Sequence, residues 1–325
     1  MDWLNIEGYD IYTPYKEYKN LATRKVAIFD SIGTLITSRN GSILAYDKKP
    51  DNFILLGQEA INEELENLHK NGYLIIIHCK NDILERCENL RKILITPAVF
   101  VRTDDTKLTS LAMGVEIALT LLNIKMDRRN SFYCGDAVSK KDSYPPYRYS
   151  SVDFLISKEL GIRFKRPIDV FGNSVLKPKT YQELVLAVGN TGSGKSTQAQ
   201  ILINKNSSYV GCDTDAMPRF DRALTLECTR NNLAKGKSVI VLATNATVKD
   251  RSDYISIAKE MNIPVRIAWF IRDGRPFNFA RSDGSRELPS TFYHARPVPV
   301  YVYERYTKMF EEPTLQEADE LEIMY

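Results

Sequence analysis

Short apolar runs alternate with longer amphipathic stretches along the whole chain. Residues 24–30 are an apolar run that ends in an acidic residue and residues 73–78 are another, so both predict buried strands. The helical spacing over 52–71 closes at Asn71-Gly72, a common helix stop, and 108–122 predicts a further helix. Such regular alternation of strands and helices favours parallel sheets with helices on both faces.

A polar boundary interrupts this pattern near residue 172. Residues 165–180 contain two prolines, one glycine and several polar side chains, which is typical of a linker. A second β–α series follows, and its strands are predicted at 184–188, 208–212, 238–244 and 264–271. The pattern therefore predicts two α/β domains, residues 1–172 and 173–325, both with mainly parallel sheets.

Composition agrees with a globular protein of one or two domains. The 325 residues are 43% hydrophobic and 26% charged, which excludes disordered, collagen-like and coiled-coil chains. The apolar run at 73–77 is far shorter than a membrane span, and the N-terminus lacks the features of a secretory signal. The five cysteines show no metal-type spacing. We therefore expect reduced thiols in an intracellular protein of the nucleus or cytoplasm, with no membrane partner.

The net charge of +3 conceals an uneven distribution along the chain. Residues 311–325 hold six acidic residues and no basic one, whereas the rest of the chain holds 44 bases against 35 acids. A basic body with an acidic tail is compatible with a nucleic-acid partner but does not require one.

A glycine-rich motif of the form GxxxxGK[ST] gives the strongest functional signal. It lies between a predicted strand and a predicted helix, the setting in which such a loop cradles a polyphosphate with its backbone amides. Lys195 is placed to neutralise the β- and γ-phosphates of ATP, and Ser196 to bind Mg²⁺. The motif assigns nucleotide binding to Gly189, Asn190, Thr191, Gly192, Ser193, Gly194, Lys195, Ser196 and Thr197.

Two acidic residues, Asp213 and Asp215, follow the next predicted strand, 208–212. Ligands of open α/β sheets bind at the carboxyl ends of the strands. A carboxylate there takes the proton of an attacking hydroxyl, and a neighbouring one holds metal-bound water. Aspartate also favours turns and helix caps, which is the structural alternative for this pair.

Arginines follow these acids in unusual number. The guanidinium fork suits phosphate, and a mobile arginine stabilises a transferring phosphoryl group. The polar stretch 282–287 has the character of a lid. The cluster consists of Arg219, Arg222, Arg230, Arg251, Arg272, Arg275, Arg281 and Arg286.

At these motifs the chain resembles the polynucleotide 5′-kinase/3′-phosphatases, which heal nucleic-acid ends. In the second half the resemblance rests on VGNTGSGKST, YVGCDTDAM, GKSVIVLATNATVKDRSDYISIAKEMNIPVRIAWF and MFEEPTLQE. It implies a haloacid-dehalogenase-like Rossmannoid domain over 1–172 and a P-loop kinase domain over 173–325. The cofactors implied are ATP and Mg²⁺, and the implied partner is a DNA or RNA 5′ end.

The resemblance also implies roles for single residues of the kinase half. Asp215 matches the base that activates the 5′-hydroxyl, and Arg281 and Arg286 lie where lid arginines occur. An acid that often precedes the Thr-Asn pair is replaced here by Leu242 and Ala243, so metal handling falls to Ser196 and Asp213. Substrate binding is assigned to Asp213, Arg222, Thr244, Asn245 and Arg251.

The first half resembles a haloacid-dehalogenase-type phosphatase with departures. Such enzymes carry Asp-x-Asp-Gly-Thr, in which the first acid attacks phosphorus and the second transfers protons. This chain keeps the first as Asp30 and has Ile32 in place of the second. Lys107 matches the lysine that pairs with phosphate and Asp136 a metal-binding acid, and Asp153 matches a later acid. The usual Thr-Asn after the second strand reads Cys79-Lys80.

Loss of the general acid/base removes roughly 10²- to 10⁴-fold of rate. We therefore expect a 5′-hydroxyl kinase whose phosphatase-shaped domain is inactive and serves as a scaffold. Three alternatives stay open: a bifunctional enzyme with both activities, a P-loop kinase of a small molecule, and a non-catalytic end-binding or adaptor protein. The sequence indicates no particular protein partner.

Overall fold

The computed structural model of the chain describes residues 3–16, 21–40, 44, 47–105, 107–136, 152–172, 174–271 and 298–324. The chain divides into two compact units, residues 1–38 with 43–173 and residues 39–42 with 174–325. No helix within the described ranges is long and apolar enough to cross a membrane.

The first unit combines strands and helices in the order that its sequence pattern suggests. Its strands are β1 (Leu4–Ile6), β2 (Tyr9–Tyr12), β3 (Ala22–Asp30), β4 (Ile36–Thr37), β5 (Ile54–Leu55), β6 (Tyr73–Lys80), β7 (Val99–Thr103), β8 (Ile124–Met126), β9 (Phe132–Cys134) and β10 (Arg163–Lys165). Its helices are α1 (Gln58–Lys70), α2 (Leu84–Ile93), α3 (Leu108–Leu121), α4 (Val152–Glu159) and α5 (Pro167–Phe171).

One large sheet organises this unit. Its strands run in the order β1-β2-β7-β6-β3-β9-β10, and β8 also pairs with β3. The pairs from β7 through β10 are parallel, whereas β1 and β2 add an antiparallel edge beside β7. β4 and β5 form a separate antiparallel pair. The sheet is therefore mainly parallel, which confirms the predicted fold class.

The two faces of this sheet bury two separate cores because successive side chains of a strand point to opposite faces. In β3, Val26 and Ile28 pack with α3 and α4 residues in one core. Ala27 and Phe29 pack with α1 and α2 residues in the other. Strands covered on both faces read as continuous apolar runs, which explains the pattern at 24–30 and 73–78.

The second unit is built on a five-stranded, fully parallel sheet in the order β12-β13-β11-β14-β15. Its core includes Val185, Ala187 and Ile240 of the sheet and Ala199 and Leu202 of a helix. Its strands are β11 (Leu184–Gly189), β12 (Tyr209–Asp213), β13 (Ser238–Leu242), β14 (Val265–Phe270) and β15 (Glu320–Met324). Its helices are α6 (Lys195–Lys205), α7 (Arg222–Ala234), α8 (Val248–Glu260) and α9 (Val300–Met309).

Two predictions need correction. The helix predicted over 52–71 begins only at Gln58, because Ile54–Leu55 pairs with Ile36–Thr37 and Gly57 takes a left-handed conformation with φ 90°. The five cysteines are also not all reduced thiols. Cys212 at the end of β12 is bonded to Cys228 of α7, whereas the other three are buried free thiols, Cys79, Cys87 and Cys134.

Candidate functional site

The glycine-rich loop joins β11 to α6 and adopts a conformation that depends on its glycines. A Cβ atom added at Gly189 would lie 2.6 Å from the carbonyl oxygen of Phe270, so no other residue fits there. Gly194 caps α6 in a left-handed conformation with φ 104°. Since glycine alone adopts such conformations without strain, the path of the loop into α6 requires glycine at these two positions.

Polar groups line the inside of this loop. Lys195 Nζ donates hydrogen bonds to the carbonyl oxygens of Gly189, at 2.8 Å, and Asn190, at 2.6 Å. Ser193 Oγ is buried and has no hydrogen-bond partner among the residues that the structure describes. Ser196 is exposed in the first turn of α6. A lysine, a buried hydroxyl without a partner and an accessible hydroxyl fit the predicted triphosphate and its Mg²⁺.

Lys195 lies within electrostatic reach of both predicted acceptor acids. Burial lowers the pKa of Lys195 to about 8, and the attraction of Asp215 and then of Asp213 partly opposes that shift. Lys195, which is predicted to bind phosphate, and the two acids are therefore close enough to interact at the carboxyl edge of the second sheet.

The two acids play different parts in the local structure. Asp213 is half-buried, and its Oδ1 accepts a hydrogen bond of 2.9 Å from the backbone N–H of Asp215. Asp213 thereby caps the 3₁₀ turn Thr214–Ala216, which a hydrogen bond from Thr225 Oγ1 to Thr214 Oγ1 ties to α7. The carboxylate of Asp215 is exposed. Asp215 is thus the more accessible of the two acids.

An exposed aromatic ring follows these acids, and the sequence reasoning missed it. Phe220 ends a second 3₁₀ turn, Pro218–Phe220, and is 68% exposed. Arg219 and Phe220 both have left-handed backbones, with φ 57° and 56°. Side chains larger than glycine rarely adopt this conformation, and such outliers cluster at functional sites. No signal in the sequence distinguishes this phenylalanine from a core residue.

The Thr244-Asn245 pair supports the nucleotide loop from behind. The backbone N–H of Gly189 donates to the carbonyl oxygen of Thr244 at 3.1 Å. The Asn245 side chain is buried, and its Nδ2 donates to the carbonyl oxygen of Ala187 at 2.9 Å. Asn245 therefore supports the loop, and substrate contact by Asn245 and by the half-buried Thr244 stays a prediction.

Arg251 is a structural residue, which corrects its predicted role in substrate binding. Its side chain is fully buried and makes a two-pronged ion pair with Glu317, at 2.7 and 3.0 Å. The same guanidinium donates to the carbonyl oxygens of Asn245, Ala246 and Glu311. With these donors turned inward, Arg251 holds the 244–246 loop and presents nothing to a substrate.

Of the other arginines predicted to contact substrate or phosphate at this site, the structure describes Arg222. Arg222 pairs with Asp253 at 3.0 Å, donates to the carbonyl oxygen of Asp250 and lies over the ring of Tyr254. Its side chain stays 37% exposed, so contact with a substrate phosphate remains a prediction. Arg281, Arg286 and the predicted lid at 282–287 lie outside the described residues.

The first unit also gathers charged side chains at the carboxyl edge of its sheet. Asp30 ends β3 and Lys80 ends the neighbouring parallel strand β6. Lys80 Nζ lies 3.1 Å from Asp30 Oδ1 and forms a hydrogen-bonded ion pair with Asp153 Oδ1 in the first turn of α4. Both carboxylates are buried, and the Lys80 side chain is only 13% exposed.

Two glycines make room for the acids of this pocket. A Cβ atom at Gly33 would collide with the carboxylate of Asp136, and one at Gly135 with that of Asp153. As a result, carboxylate oxygens of Asp30, Asp136 and Asp153 lie within 4.8 Å of one another.

The charges of the pocket are strongly coupled. Burial raises the pKa of Asp30, Lys80 lowers it, and the repulsion of Asp153 and Asp136 raises it further, so it ends well above its ordinary value. Burial alone lowers the pKa of Lys80, but the attraction of Asp153 and Asp30 outweighs burial and raises it. Burial also lowers the pKa of His78 to about 3, so its ring is neutral. Lys80 is therefore a charged lysine within a group of acids.

The predicted phosphatase residues are only partly assembled. Asp30 and Asp136 lie in the pocket, whereas Lys107 is exposed at the start of α3 and forms no ion pair in the part of the chain described. Ile32 packs against the core, and Cys79 is buried within it. The sequence reasoning noted Lys80 only as a departure. The sequence did contain a sign of this role, because Lys80 lies just after a predicted strand that runs parallel to the strand ending at Asp30.

Mg²⁺ does not fit this pocket as its residues are arranged. The ion requires oxygen ligands at 2.0–2.1 Å in octahedral geometry. Here the Lys80 ammonium already contacts the oxygens of Asp30 and Asp153, and position 32 offers an isoleucine side chain in place of a carboxylate.

Comparison with known families finds a different match in each of the two units. The family model described as polynucleotide kinase 3 phosphatase matches residues 25–171, and that of an AAA domain matches residues 184–275. A Schizosaccharomyces pombe protein named as a bifunctional polynucleotide phosphatase/kinase is 23% identical over 341 residues, which cover 91% of this chain and 78% of that relative. An Acanthamoeba polyphaga mimivirus protein, given the same name provisionally, is 24% identical over 81% of this chain and 75% of its own length.

Solved structures resemble the chain only weakly. The crystal structure of Chaetomium thermophilum Kti12 with ADP-AlF3 matches 43% of this chain and 88% of its own, with a TM-score of 0.34 and 16% identity. The domain matches and the relatives confirm the resemblance found in the sequence. The chain is similar to the bifunctional polynucleotide phosphatase/kinases, and its phosphatase-type match comes first along the chain and its AAA-domain match second.

Proposed function

We propose that this protein is a polynucleotide 5′-hydroxyl kinase that transfers the γ-phosphate of ATP to a DNA or RNA 5′ end. The observation that carries the proposal is the shared site of Lys195 and the exposed Asp215. A triphosphate held by the 189–197 loop would have its outer phosphate close to a carboxylate that accepts a proton.

The chain's own groups account for the steps of transfer. The Asp215 carboxylate takes the proton of the 5′-hydroxyl, and the freed oxygen forms a bond to the γ-phosphorus. The bond from that phosphorus to the β,γ-bridging oxygen breaks, and ADP leaves. Lys195 exchanges its two carbonyl partners for phosphate oxygens and offsets the charge that develops on them. Ser196, with Asp213 nearby, would hold Mg²⁺, and the ion would neutralise charge on the phosphates. Arg222, Arg281 and Arg286 are proposed as further phosphate contacts.

A polynucleotide acceptor is supported by the surroundings of Asp215. Stacking on an exposed aromatic ring is a sequence-tolerant way to hold a terminal base, and Phe220 offers such a ring five residues after the proposed base. The relatives' names point to the same substrate class. A small metabolite would need only a closed pocket.

The phosphatase-type domain is proposed to be inactive. Its pocket retains Asp30, but Ile32 carries no proton, and Lys80 is paired with Asp30 itself. Compartment and protein partners follow from neither site; an intracellular location remains an expectation.

The decisive experiment measures transfer of labelled γ-phosphate from ATP to matched DNA and RNA oligonucleotides with 5′-hydroxyl ends. We expect Asp215→Asn to lower the rate by roughly 10²- to 10⁴-fold. Asp213→Asn is the matched control and should have the smaller effect because Asp213 is half-buried as a turn cap. Full activity of Asp215→Asn would remove Asp215 as the base and leave Asp213 in its place.

Further outcomes separate the alternatives. No transfer to any 5′-hydroxyl oligonucleotide at millimolar ATP and Mg²⁺ would favour a non-catalytic end-binding protein. Transfer to nucleosides or sugars alone would favour a small-molecule kinase. Metal-dependent release of a 3′-phosphate that disappears in Asp30→Ala would show that both activities are present.

A further inference from the structure

The acidic pocket of the first unit contains its own cation. We propose that the ammonium group of Lys80 replaces the divalent metal ion in this pocket, so that it forms a metal-free ion network with Asp30 and Asp153, next to Asp136. The inference goes beyond the proposed kinase activity, because it depends only on contacts within the first unit.

The position of Lys80 carries the inference. Its Nζ contacts Asp30 Oδ1 at 3.1 Å and is hydrogen-bonded to Asp153 Oδ1. A divalent ion that joined these two carboxylates would need the same oxygens. An ammonium and a metal ion on shared oxygens would lie a few ångströms apart, and their like charges would repel each other.

The neighbourhood holds Lys80 in this place. The ring of Tyr133 lies 5.9 Å from Nζ, and the Tyr133 hydroxyl is within 3.5 Å of Asp153 Oδ1. His78 Nδ1 lies 3.1 Å from that hydroxyl. Tyr133 and His78 are buried together with Asp30 and Asp153, so water screens the attraction of the two carboxylates for the lysine weakly.

The acids alone would form a favourable metal site. Their oxygens lie within 4.8 Å of one another, and carboxylates are preferred ligands of Mg²⁺ and Mn²⁺. Removing the lysine charge should therefore convert the pocket from an ion network into a site that binds metal. Restoring an acid at position 32 alone should not, because the ammonium would still contact Asp30 and Asp153.

The test measures Mn²⁺ binding to the full chain without nucleotide. The unbound ion is quantified by its electron paramagnetic resonance signal. Every protein carries Ser196→Ala, which removes the hydroxyl proposed to bind metal at the other site. We expect Lys80→Asn to bind one Mn²⁺ at least tenfold more tightly than the chain with native Lys80. Adding Asp136→Asn to Lys80→Asn should abolish that gain in affinity. The control is Lys107→Asn, the same substitution at an exposed lysine, and it should bind Mn²⁺ no more tightly than the chain with native Lys80.

Thermal unfolding gives a second readout. Mn²⁺ should raise the midpoint of Lys80→Asn and leave that of the Lys107→Asn control unchanged. Even if Lys80→Asn fails to fold, Mn²⁺ binding by the chain with native Lys80 still tests the proposal. If the chain with native Lys80 binds Mn²⁺ and loses it on Asp136→Asn, the proposal is overturned. A folded Lys80→Asn that binds no more Mn²⁺ than the native pocket would overturn it too. Neither result bears on phosphate transfer to oligonucleotides.

Discussion

The two sheets of this protein both place a lysine and acidic residues at their carboxyl edges, but the groups interact differently. In the first unit the ammonium of Lys80 contacts two buried carboxylates, which raise its pKa. In the second, Lys195 donates to two backbone carbonyls, and burial lowers its pKa to about 8. The lysine of the first site is already paired with carboxylates, whereas the lysine of the second is left available to a ligand.

This difference shows why residue types alone do not define a catalytic site. A lysine and aspartates near the carboxyl edge of a parallel sheet occur in both units, so the edge of an α/β sheet is a favourable location for charge in general. Whether that charge acts on a substrate depends on what it already contacts. A lysine that donates to carbonyl oxygens can exchange these neutral partners for a phosphate, because the phosphate is a stronger acceptor. A lysine between two buried carboxylates has no such gain available.

Replacement of each lysine by alanine should produce the largest difference between the two sites, which is a difference in the rate of phosphate transfer. We expect Lys195→Ala to lower the rate of phosphate transfer roughly 10²- to 10³-fold, because a preorganised donor to the transferring group is lost. Lys80→Ala should leave the turnover number within about twofold of native at 20 °C, since its charge serves only the first unit. Steady-state transfer to a 5′-hydroxyl oligonucleotide measures both. An equal loss in the two variants would mean that the first unit takes part in the kinase reaction.

The free energy of unfolding should change in the opposite order, with the larger loss for Lys80→Ala. Lys80→Ala leaves Asp30 and Asp153 buried without their cation, and breaking such a pair costs about 3–5 kcal/mol. Lys195→Ala should change stability by less than about 1 kcal/mol, because its hydrogen bonds are offset by the unfavourable burial of its charge. Urea unfolding at pH 7 compares the two. Since the pKa of Lys80 is raised, its contribution is fully present below the unfolded pKa of about 10.4, and pH 7 lies in that range.

A smaller effect tests whether the open site serves a nucleobase. Phe220→Ala should raise the KM for an oligonucleotide acceptor roughly 5- to 150-fold, which corresponds to the loss of one stacked base, and leave the KM for ATP unchanged. Leu224→Ala, at a partly exposed apolar position of α7, is the control. An acceptor with an abasic 5′ terminus should be insensitive to the Phe220 change. Equal sensitivity with and without the base would exclude stacking.

Much of the fold was predictable from the sequence because both sheets are mainly parallel. Their strands are covered on both faces, so they appear as apolar runs between helical stretches, as β3, β6 and β11 do. The short pairs were not predictable. β4 and β5 contain two residues each, and only their contact with each other defines them. The antiparallel edge formed by β1 and β2 likewise depends on pairing with distant β7.

The sites were predictable where backbone geometry requires a particular residue, as at Gly189 and Gly194. They were less predictable where a charged side chain has more than one partner to choose from. Arg251 follows the nucleotide strand in the manner of a phosphate ligand, yet Glu317, 66 residues later, engages it. Lys80 was likewise visible as a departure from the family pattern, but its pairing with Asp153 depends on the position of α4. Such competition between partners becomes apparent only in three dimensions.

The smallest expected effect is a difference between the two lysines in proton uptake when ATP binds. The ligand-free pKa of Lys195 is about 8 because burial disfavours its charge, so the charge is present below that pH and lost above it. A bound triphosphate favours the charged form and raises the pKa, so ATP binding takes up a proton above pH 8. At pH 8.5 we expect uptake of about three quarters of a proton, falling to about one quarter at pH 7.5. Calorimetry in two buffers of different ionisation enthalpy measures this uptake.

Lys195→Arg is the control for this titration, since a guanidinium stays charged throughout the range and should show almost no uptake. The affinity of the native chain for ATP should also fall about tenfold between pH 7 and pH 9, and that of Lys195→Arg should not. Lys80 makes no contribution in this range because its pKa is raised by buried acids that ATP does not contact. If Lys195→Arg took up as many protons as the native chain, the titrating group would lie elsewhere, and Lys195 would be as firmly charged as Lys80.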